Sequence, residues 1–410
     1  MPGSRGGPTA GEPTNEPPMT LSQRRTLALV VTGFGAMLNL YAPQPVLPLL
    51  RDAFGVSAAV AATTVTATAL AVALVGPFAG AASDAWGRRP VILVALAGVA
   101  LPTLLCAFAD SISMLIVLRF AQGLFIPAAF AAALAYASEE WPPGQRGRAT
   151  TYYISSNIVG GFIGRVIGGV AAEFGDWHMA FLVLGAANVV CAVVVALTLP
   201  ASRQSATDTR LGRAIAQMPR HLADPMLLSA FVVGFCILFA MVTAFTYVNF
   251  HLAEPPWSLG PGALSWLFCS YLVGVILLAV SGRLIDTLGP RIAVMIAAGI
   301  AVIGGLCLLA TPLWVIALGL VLLCLGTFVC QSATTRFVGA NAVEGRSAAA
   351  GLYLAFYYGG GALGAVLPGF AFQRWGWTSS VAIMLCAEFL IITIAAIAWR
   401  RAEGRPAVAT

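Results

Sequence analysis

Long apolar stretches recur along this chain, each about as long as a bilayer is thick and separated from the next by a short polar segment. A helix needs about 20 apolar residues to cross the hydrocarbon core. Twelve stretches meet that length, at about 26–50, 58–82, 90–109, 114–138, 149–174, 178–199, 226–251, 261–284, 291–310, 313–338, 347–372 and 378–399. Of the 410 residues, 59% are hydrophobic and 9% charged, where a soluble domain carries about 25% charge. So few charges cannot build a water-facing surface, so the bilayer must solvate most of the outside. The 43 glycines suit closely packed membrane helices. The sequence predicts an all-α membrane protein with twelve transmembrane helices.

The net charge of +6 is a matter of placement. The chain has no lysine, and all its basic residues are arginine. Arg51 and Arg374 fall on one side of the predicted spans, and Arg119 and Arg165 fall inside them. The remaining arginines fall in the tail and in loops that share the other side. The positive-inside rule makes that side cytoplasmic and puts both termini there. The basic balance is thus a topology signal and implies no nucleic acid. The eight cysteines lie within predicted spans without metal-site spacing, so buried apolar roles are expected, with no metal, disulfide framework or cofactor. Residues 1–22, rich in Pro, Gly, Ser and Thr, read as a disordered tail rather than a signal peptide.

The organisation is one unit written twice. Residues 80–89, GAASDAWGRR, and 282–291, GRLIDTLGPR, share Gly80, Asp84, Gly87 and Arg89 with Gly282, Asp286, Gly289 and Arg291, at an offset of 202 (282 − 80). Arg146, Tyr153, Gly160, Gly164, Gly169 and Trp177 recur as Arg346, Tyr353, Gly360, Gly364, Gly369 and Trp377, at an offset of 200 (346 − 146). Two six-helix halves follow, over 23–199 and 226–400. A polar cytoplasmic linker over 200–225, with a short surface helix near 209–218, joins them, and 401–410 is a terminal tail. Parallel halves of this kind place a site between them near the midplane, reached by rocking one half on the other.

Residues 80–89 resemble the signature loop of the major facilitator superfamily, through Gly80, Asp84, Gly87, Arg88 and Arg89, with Ala85 where a basic residue is usual. Arg119, Gln122 and Gly123 resemble the R-x-x-Q-G motif of proton-coupled members. Residues 160–169, GGFIGRVIGG, resemble the antiporter motif of the fifth helix, with Arg165 replacing its proline. The segment YAPQPVLPLL, 41–50, is similar to the first helix of bacterial arabinose-efflux-like permeases. The resemblance implies two pseudo-symmetric six-helix bundles in a bacterial inner membrane and a drug-, sugar- or metabolite-exporting, proton-linked function. It also implies a conformational latch, formed by Gly80, Asp84, Gly87, Arg88 and Arg89 with Gly282, Asp286 and Arg291. In it Asp84 would face the start of the eleventh helix, and Gly80 would allow close helix packing. The alternative is that these charges only fix orientation.

Ionisable groups inside a membrane cost about 2.5–3.5 kcal/mol each on the milder scales, so they mark function first. Three lie deep in predicted spans: Arg119, Arg165 and Glu388. Arg165, among glycines, reads either as a binding group for a carboxylate, phosphate or hydroxyl-rich substrate or as a structural arginine satisfying helix-end carbonyls. Arg119 reads as a coupling residue or as a structural one, with Gln122 or carbonyls of the first helix as partners. Guanidinium does not deprotonate in proteins, so a titrating coupling group is sought at Glu388; the alternative is a neutral side chain facing a polar seam. Further substrate-binding candidates are Asn39, Tyr41, Gln44, Asn157, Tyr247, Asn249, Gln331 and Tyr357. Without a carboxylate on the presumed cavity helices, the substrate is expected to be neutral, anionic or amphipathic. The expected partners are that small molecule, protons and the lipid bilayer, and the expected state is a monomer. Uptake of a small organic solute is the alternative function. A non-transporting membrane sensor ranks lower and an enzyme lowest, for want of any catalytic motif.

Overall fold

The computed structural model describes residues 19–201, 211–342 and 345–401, which form helices and turns with no strand among them. In chain order the helices are α1 (Leu21–Met37), α2 (Leu47–Phe54), α3 (Ala58–Trp86), α4 (Arg88–Cys106), α5 (Ile112–Glu140), α6 (Arg146–Phe174), α7 (Trp177–Thr198), α8 (Leu211–Ala223), α9 (Pro225–Ala253), α10 (Pro261–Trp266), α11 (Cys269–Cys307), α12 (Leu313–Asn341), α13 (Arg346–Trp375) and α14 (Trp377–Ile397). Ten described segments are long and apolar enough to cross a membrane as single helices. Residues 1–18 of the predicted tail 1–22, residues 202–210 of the linker, and 402–410 lie outside the described residues, while the end of that tail is not disordered, since α1 begins at Leu21 behind a Thr20 cap. The helix expected near 209–218 is described from Leu211 and runs on to Ala223, with Arg220 and His221 in its last turn.

Two predicted spans are corrected from continuous to broken. The span over 26–50 is α1, a bend over residues 38–43, one 3-10 turn at Gln44–Val46, and α2. Proline is the cause: Pro43 has no N–H to give the Asn39 carbonyl four residues back, and Pro45 and Pro48 follow at once. The span over 261–284 breaks after Trp266, where Leu267 and Phe268 form a turn between α10 and α11. In a bilayer such breaks persist only where neighbours re-satisfy the freed backbone groups. α11 continues into the ninth span through a single non-helical residue, Gly289, at φ 75° and ψ 162°. Gly87, its repeat mate between α3 and α4, adopts φ 86° and ψ 154°. This positive φ is the physical reason both signature loops carry glycine at that place.

The repeat is also visible in packing. On α6, a Cβ at Gly160 or Gly164 would overlap the carbonyls of Phe34 and Leu38 on α1. On α13, a Cβ at Gly360 or Gly364 would overlap those of Phe235 and Phe239 on α9. Glycines four residues apart thus let two backbones touch, as small residues do between membrane helices. The last helix of each half buries one face at matching positions: Trp177, Phe181, Leu184, Asn188 and Val195 on α7, and Trp377, Val381, Met384, Glu388 and Ala395 on α14.

The halves are closed at one end and parted at the other. At the closed end Arg51 pairs with Glu254 at 3.0 Å, Glu173 accepts the Gly262 N–H at 2.9 Å, and Gly169 lies against Pro261 and Ser265. Gly369 lies against Ala59. Towards the arginine-rich face, α3 and α13 still touch at Pro77 and Gly351, where an added Cβ would come 3.2 Å from Pro77 Cα. Beyond that point a cavity of about 580 Å³ opens between the halves, lined by residues of α1, α3, α5, α6 and α13.

Candidate functional site

At the level of the α1 break, Arg119 is fully buried on α5. Its Nη1 donates to the Asn39 carbonyl at 2.8 Å, Nη2 to Leu40 O at 2.9 Å, and Nε to Thr64 O at 3.2 Å. Nη1 also donates to Gln122 Oε1, and Gln122 Nε2 donates to Thr103 Oγ1. The Asn39 carbonyl, which Pro43 cannot serve and which the Ala42 N–H meets only at 3.4 Å, is therefore one that Arg119 takes. Both partners considered from sequence, Gln122 and the first-helix carbonyls, are present. The planar five-donor guanidinium is consumed in pinning the broken helix to α3 and α5. Asn39 contributes its carbonyl here, while its side-chain amide, equally buried, has no hydrogen-bond partner.

Arg165 lies on the other side of the same break, 3% exposed on α6. Its Nε donates to Gln44 Oε1 at 2.9 Å, and its Nη1 to the Gly161 carbonyl at 2.6 Å. Gln44 Nε2 in turn donates to Thr246 Oγ1 on α9 at 3.3 Å, so one glutamine ties Arg165 to the opposite half. Three rings face the guanidinium, with its Cζ 5.2 Å from the Tyr41 centroid, 4.9 Å from Phe268 and 4.7 Å from Tyr271. Tyr41 belongs to the α1 break, and Phe268 and Tyr271 to the α10–α11 break, so each interrupted span contributes to one cage. The Tyr41 hydroxyl is buried without a hydrogen-bond partner.

The cage residues do not themselves line the cavity, and two neighbours connect them to it. Met37 and Tyr358 line the cavity and pack with Tyr41 in one apolar cluster. Tyr357, nearly buried, stacks on Tyr353 at 6.0 Å and meets Tyr358 edge-on at 5.5 Å. Most of the remaining lining is apolar, including Val72, Ile126, Phe130, Leu134 and Leu354, with Asp84, Ser138 and Thr150 as polar groups.

The other sequence candidates are dispersed. Asn157 is half-buried against α1 at Gly33. Gln331 is half-buried on α12, its carbonyl accepting from Thr335 at 2.8 Å. Tyr247 and Asn249 are sealed inside the C-terminal half: Tyr247 Oη donates to Ala365 O at 2.6 Å, and Asn249 Nδ2 to Phe245 O. Neither is among the cavity-lining residues. Glu388 is 2% exposed and points into the bundle, with Cys236 on α9 and Cys330 on α12 as electrostatic neighbours. Phe268 was not singled out from sequence; it lies inside the predicted span 261–284 as one apolar residue among many, and only the break turns it inward.

At the arginine-rich end, Asp84 lines the cavity and pairs with Arg88 at 2.5 Å. Arg88 also pairs with Glu139 at 2.6 Å and donates to Ser83 Oγ at 2.8 Å. A Cβ at Gly80 would meet no heavy atom within 4 Å, so the close packing expected of Gly80 is not made in this conformation, because α3 and α13 have parted there. Arg89 Nη2 donates to Ala196 O at 3.4 Å, and Arg291 Nε and Nη2 to Ala395 O and Ala396 O, each at 3.3 Å. Each signature arginine thus staples its loop to the last helix of its own half. The side-chain surroundings of Gly282 and Asp286 lie outside the described residues.

Known proteins share this architecture over nearly the whole chain. The family model described as Major Facilitator Superfamily matches residues 29–276 and 255–409. The MFS-type transporter YybF of Bacillus subtilis (strain 168) is 32% identical over 361 residues, 88% of this chain and 89% of that one. The inner membrane transport protein YnfM of Escherichia coli (strain K12) is 30% identical over 374 residues, 90% of each. A bacterial homologue of the human lysosomal transporter Spinster, solved inward-facing and occupied, superposes with a TM-score of 0.70 at 15% identity, covering 93% of this chain and 96% of that chain. Ten apolar spans and two broken ones in a repeated all-helical architecture, together with these matches, have one meaning: the chain is a multi-pass membrane transporter that belongs to the major facilitator superfamily.

Proposed function

We propose that this chain is a secondary active exporter of a small organic solute, driven by protons and working by alternating access as a monomer. It resides in the bacterial inner membrane with both termini and the arginine-rich loops in the cytoplasm. The observation that carries this reading is the asymmetry of the interface. One end is shut by Arg51–Glu254 and by Glu173 on Gly262, while the other holds a cavity of about 580 Å³ whose lining residues Met37 and Tyr358 pack with Tyr41, a ring of the Arg165 cage. A carrier that exports must load from the cytoplasm, and this conformation presents its cavity to the arginine-rich face.

In this reading Arg165, Tyr41, Gln44 and Tyr357 engage the substrate, with Asn157 and Gln331 further out. Asp84, with Arg88 and Arg89, closes the cytoplasmic end against α13, and the pair with Arg88 is the open-state resting place of that carboxylate. Gly282, Asp286 and Arg291 are the equivalents in the second half. Glu388 carries the proton, since Arg119 and Arg165 do not titrate. Arg119 holds the helix break on which the cage is built.

Reconstitution into proteoliposomes with an imposed pH gradient tests the assignment. Export predicts solute movement against the proton flow, so that solute accumulates in inside-acid vesicles whose carriers present their cytoplasmic face outward. Accumulation in the direction of the proton flow would establish uptake instead, and no counterflow of any solute would end the transport reading.

A further inference from the structure

We propose that Arg165 and the rings around it bind the carboxylate of a small organic monoanion with a flat or aromatic body. The proposal rests on the transport reading above and names its substrate class. It begins from a buried charge that the protein does not balance. Among the described residues no carboxylate lies within ion-pairing distance of Arg165. Its Nε and Nη1 are engaged by Gln44 and Gly161, and its Nη2 has no hydrogen-bond partner among the described residues.

Arg119 shows what a structural arginine looks like in the same protein. It is equally buried, yet its donors meet carbonyls of Asn39, Leu40 and Thr64 and the amide oxygen of Gln122. Arg165 meets two oxygens and three ring faces. A ring face attracts a cation, but more weakly than desolvation penalises a buried ion. Aromatic faces, like the neutral oxygens around Arg119, leave the net charge at +1, and what sets Arg165 apart is that its Nη2 is not engaged. The missing element is an anion.

The neighbouring atoms define which anion. The Tyr41 ring lies 5.2 Å from the guanidinium Cζ, and its hydroxyl, directed towards Gly361 on α13, is buried and unpartnered. A carboxylate has two acceptor oxygens, one for each of these donors. A single arginine balances a single negative charge, which disfavours phosphate dianions. Phe268 and Tyr271 give the rest of the molecule apolar faces to stack on. The site also joins the halves, since Arg165 and Tyr41 come from one, Phe268 and Tyr271 from the other, and Gln44 bridges to Thr246. Anion binding therefore acts where the halves must rock.

The purified full-length chain in detergent is titrated with benzoate, phenylacetate, benzamide and benzylamine, reading thermal shift and calorimetric affinity. Benzoate or phenylacetate is expected to raise the melting temperature and to bind about ten- to a hundredfold tighter than benzamide, with benzylamine weakest. Arg165→Gln removes the preference for the carboxylate over its amide, and Arg165→Lys keeps part of it. Equal affinity for benzoate and benzamide, no response to either carboxylate, or an unchanged preference in Arg165→Gln overturns the proposal. If Arg165→Gln fails to fold, the benzoate-to-benzamide ratio of the unsubstituted protein and of Arg165→Lys decides. Counterflow of a neutral solute without carboxylate preference would leave transport standing and remove the anion site. Arg165-dependent benzoate binding without counterflow of benzoate or phenylacetate would do the reverse.

Discussion

Glu388 stands on α14 where Asn188 stands on α7, at an offset of 200 (388 − 188), and both side chains face the interior of their own half. Asn188 is satisfied in part within its helix, Nδ2 donating to Leu184 O at 3.1 Å. Glu388 has no hydrogen bond or ion pair among the described residues. A carboxyl without a partner at this depth is held against a standing cost, which a proton-binding role would explain. Glu388→Gln is expected to fold, to retain solute counterflow, and to lose acceleration by a pH gradient. Unchanged pH-driven transport in that variant would remove Glu388 from coupling.

Arg119 is expected to behave as a structural residue. Arg119→Gln takes the guanidinium donor from the Asn39, Leu40 and Thr64 carbonyls, and each buried acceptor so deprived costs about 1–3 kcal/mol. A large drop in melting temperature and in membrane abundance is the expected outcome, with Arg119→Lys intermediate because one ammonium cannot reproduce the fork. An Arg119→Gln protein as stable as the parent, yet uncoupled from protons, would return this residue to the coupling role implied by its motif.

The glycine contacts predict a graded series. Gly164→Ala and Gly364→Ala each force a methyl into a carbonyl of the adjoining helix, and overpacking of this kind costs about 1–3 kcal/mol. Gly359→Ala, where an added Cβ meets nothing within 4 Å, should stay within about 0.5 kcal/mol of the parent. Thermal melts of the three purified variants order them.

The Arg51–Glu254 pair is partly exposed, with side chains 25% and 55% accessible, so its strength is about 0.2–1 kcal/mol. Arg51→Ala should leave the fold intact and shift the population toward opening at the closed end by up to about fivefold. Maleimide labelling of Ala59→Cys, beside Gly369 in the closed seam, should be faster in the Arg51→Ala background. Equal rates in both backgrounds would show that this pair does not hold the gate.

Asp84→Asn should insert normally, because Arg88 keeps Glu139 as a partner. Its turnover should fall, because closing the open end would lack the carboxylate that meets the positive start of α13. Transport at the parent rate would leave Asp84 with an orienting role alone.

Much of the site was legible residue by residue, and its arrangement was not. Arg165, Tyr41 and Gln44 were all identifiable as polar or aromatic groups on apolar helices. That they converge depends on the α1 break, which Pro43 causes but which a hydropathy count passes over. Tyr247 was also a candidate from sequence, and its hydroxyl instead closes on Ala365 within its own half. Periodicity reports that a side chain is buried and not what it meets.

The sequence alone determined that this chain lives in lipid, crosses it in helices and repeats itself once, because apolar length, backbone hydrogen bonding and the 200-residue offset are local or additive properties of the chain. The tertiary structure alone decided that Arg119 is saturated while Arg165 is left unbalanced, and that one end of the interface is shut while the other is open. Those outcomes depend on which atoms, brought from 55 (119 − 64) to 124 (165 − 41) positions away, fill the few ångströms around each guanidinium, and side-chain contacts at that range are set by packing rather than by pattern.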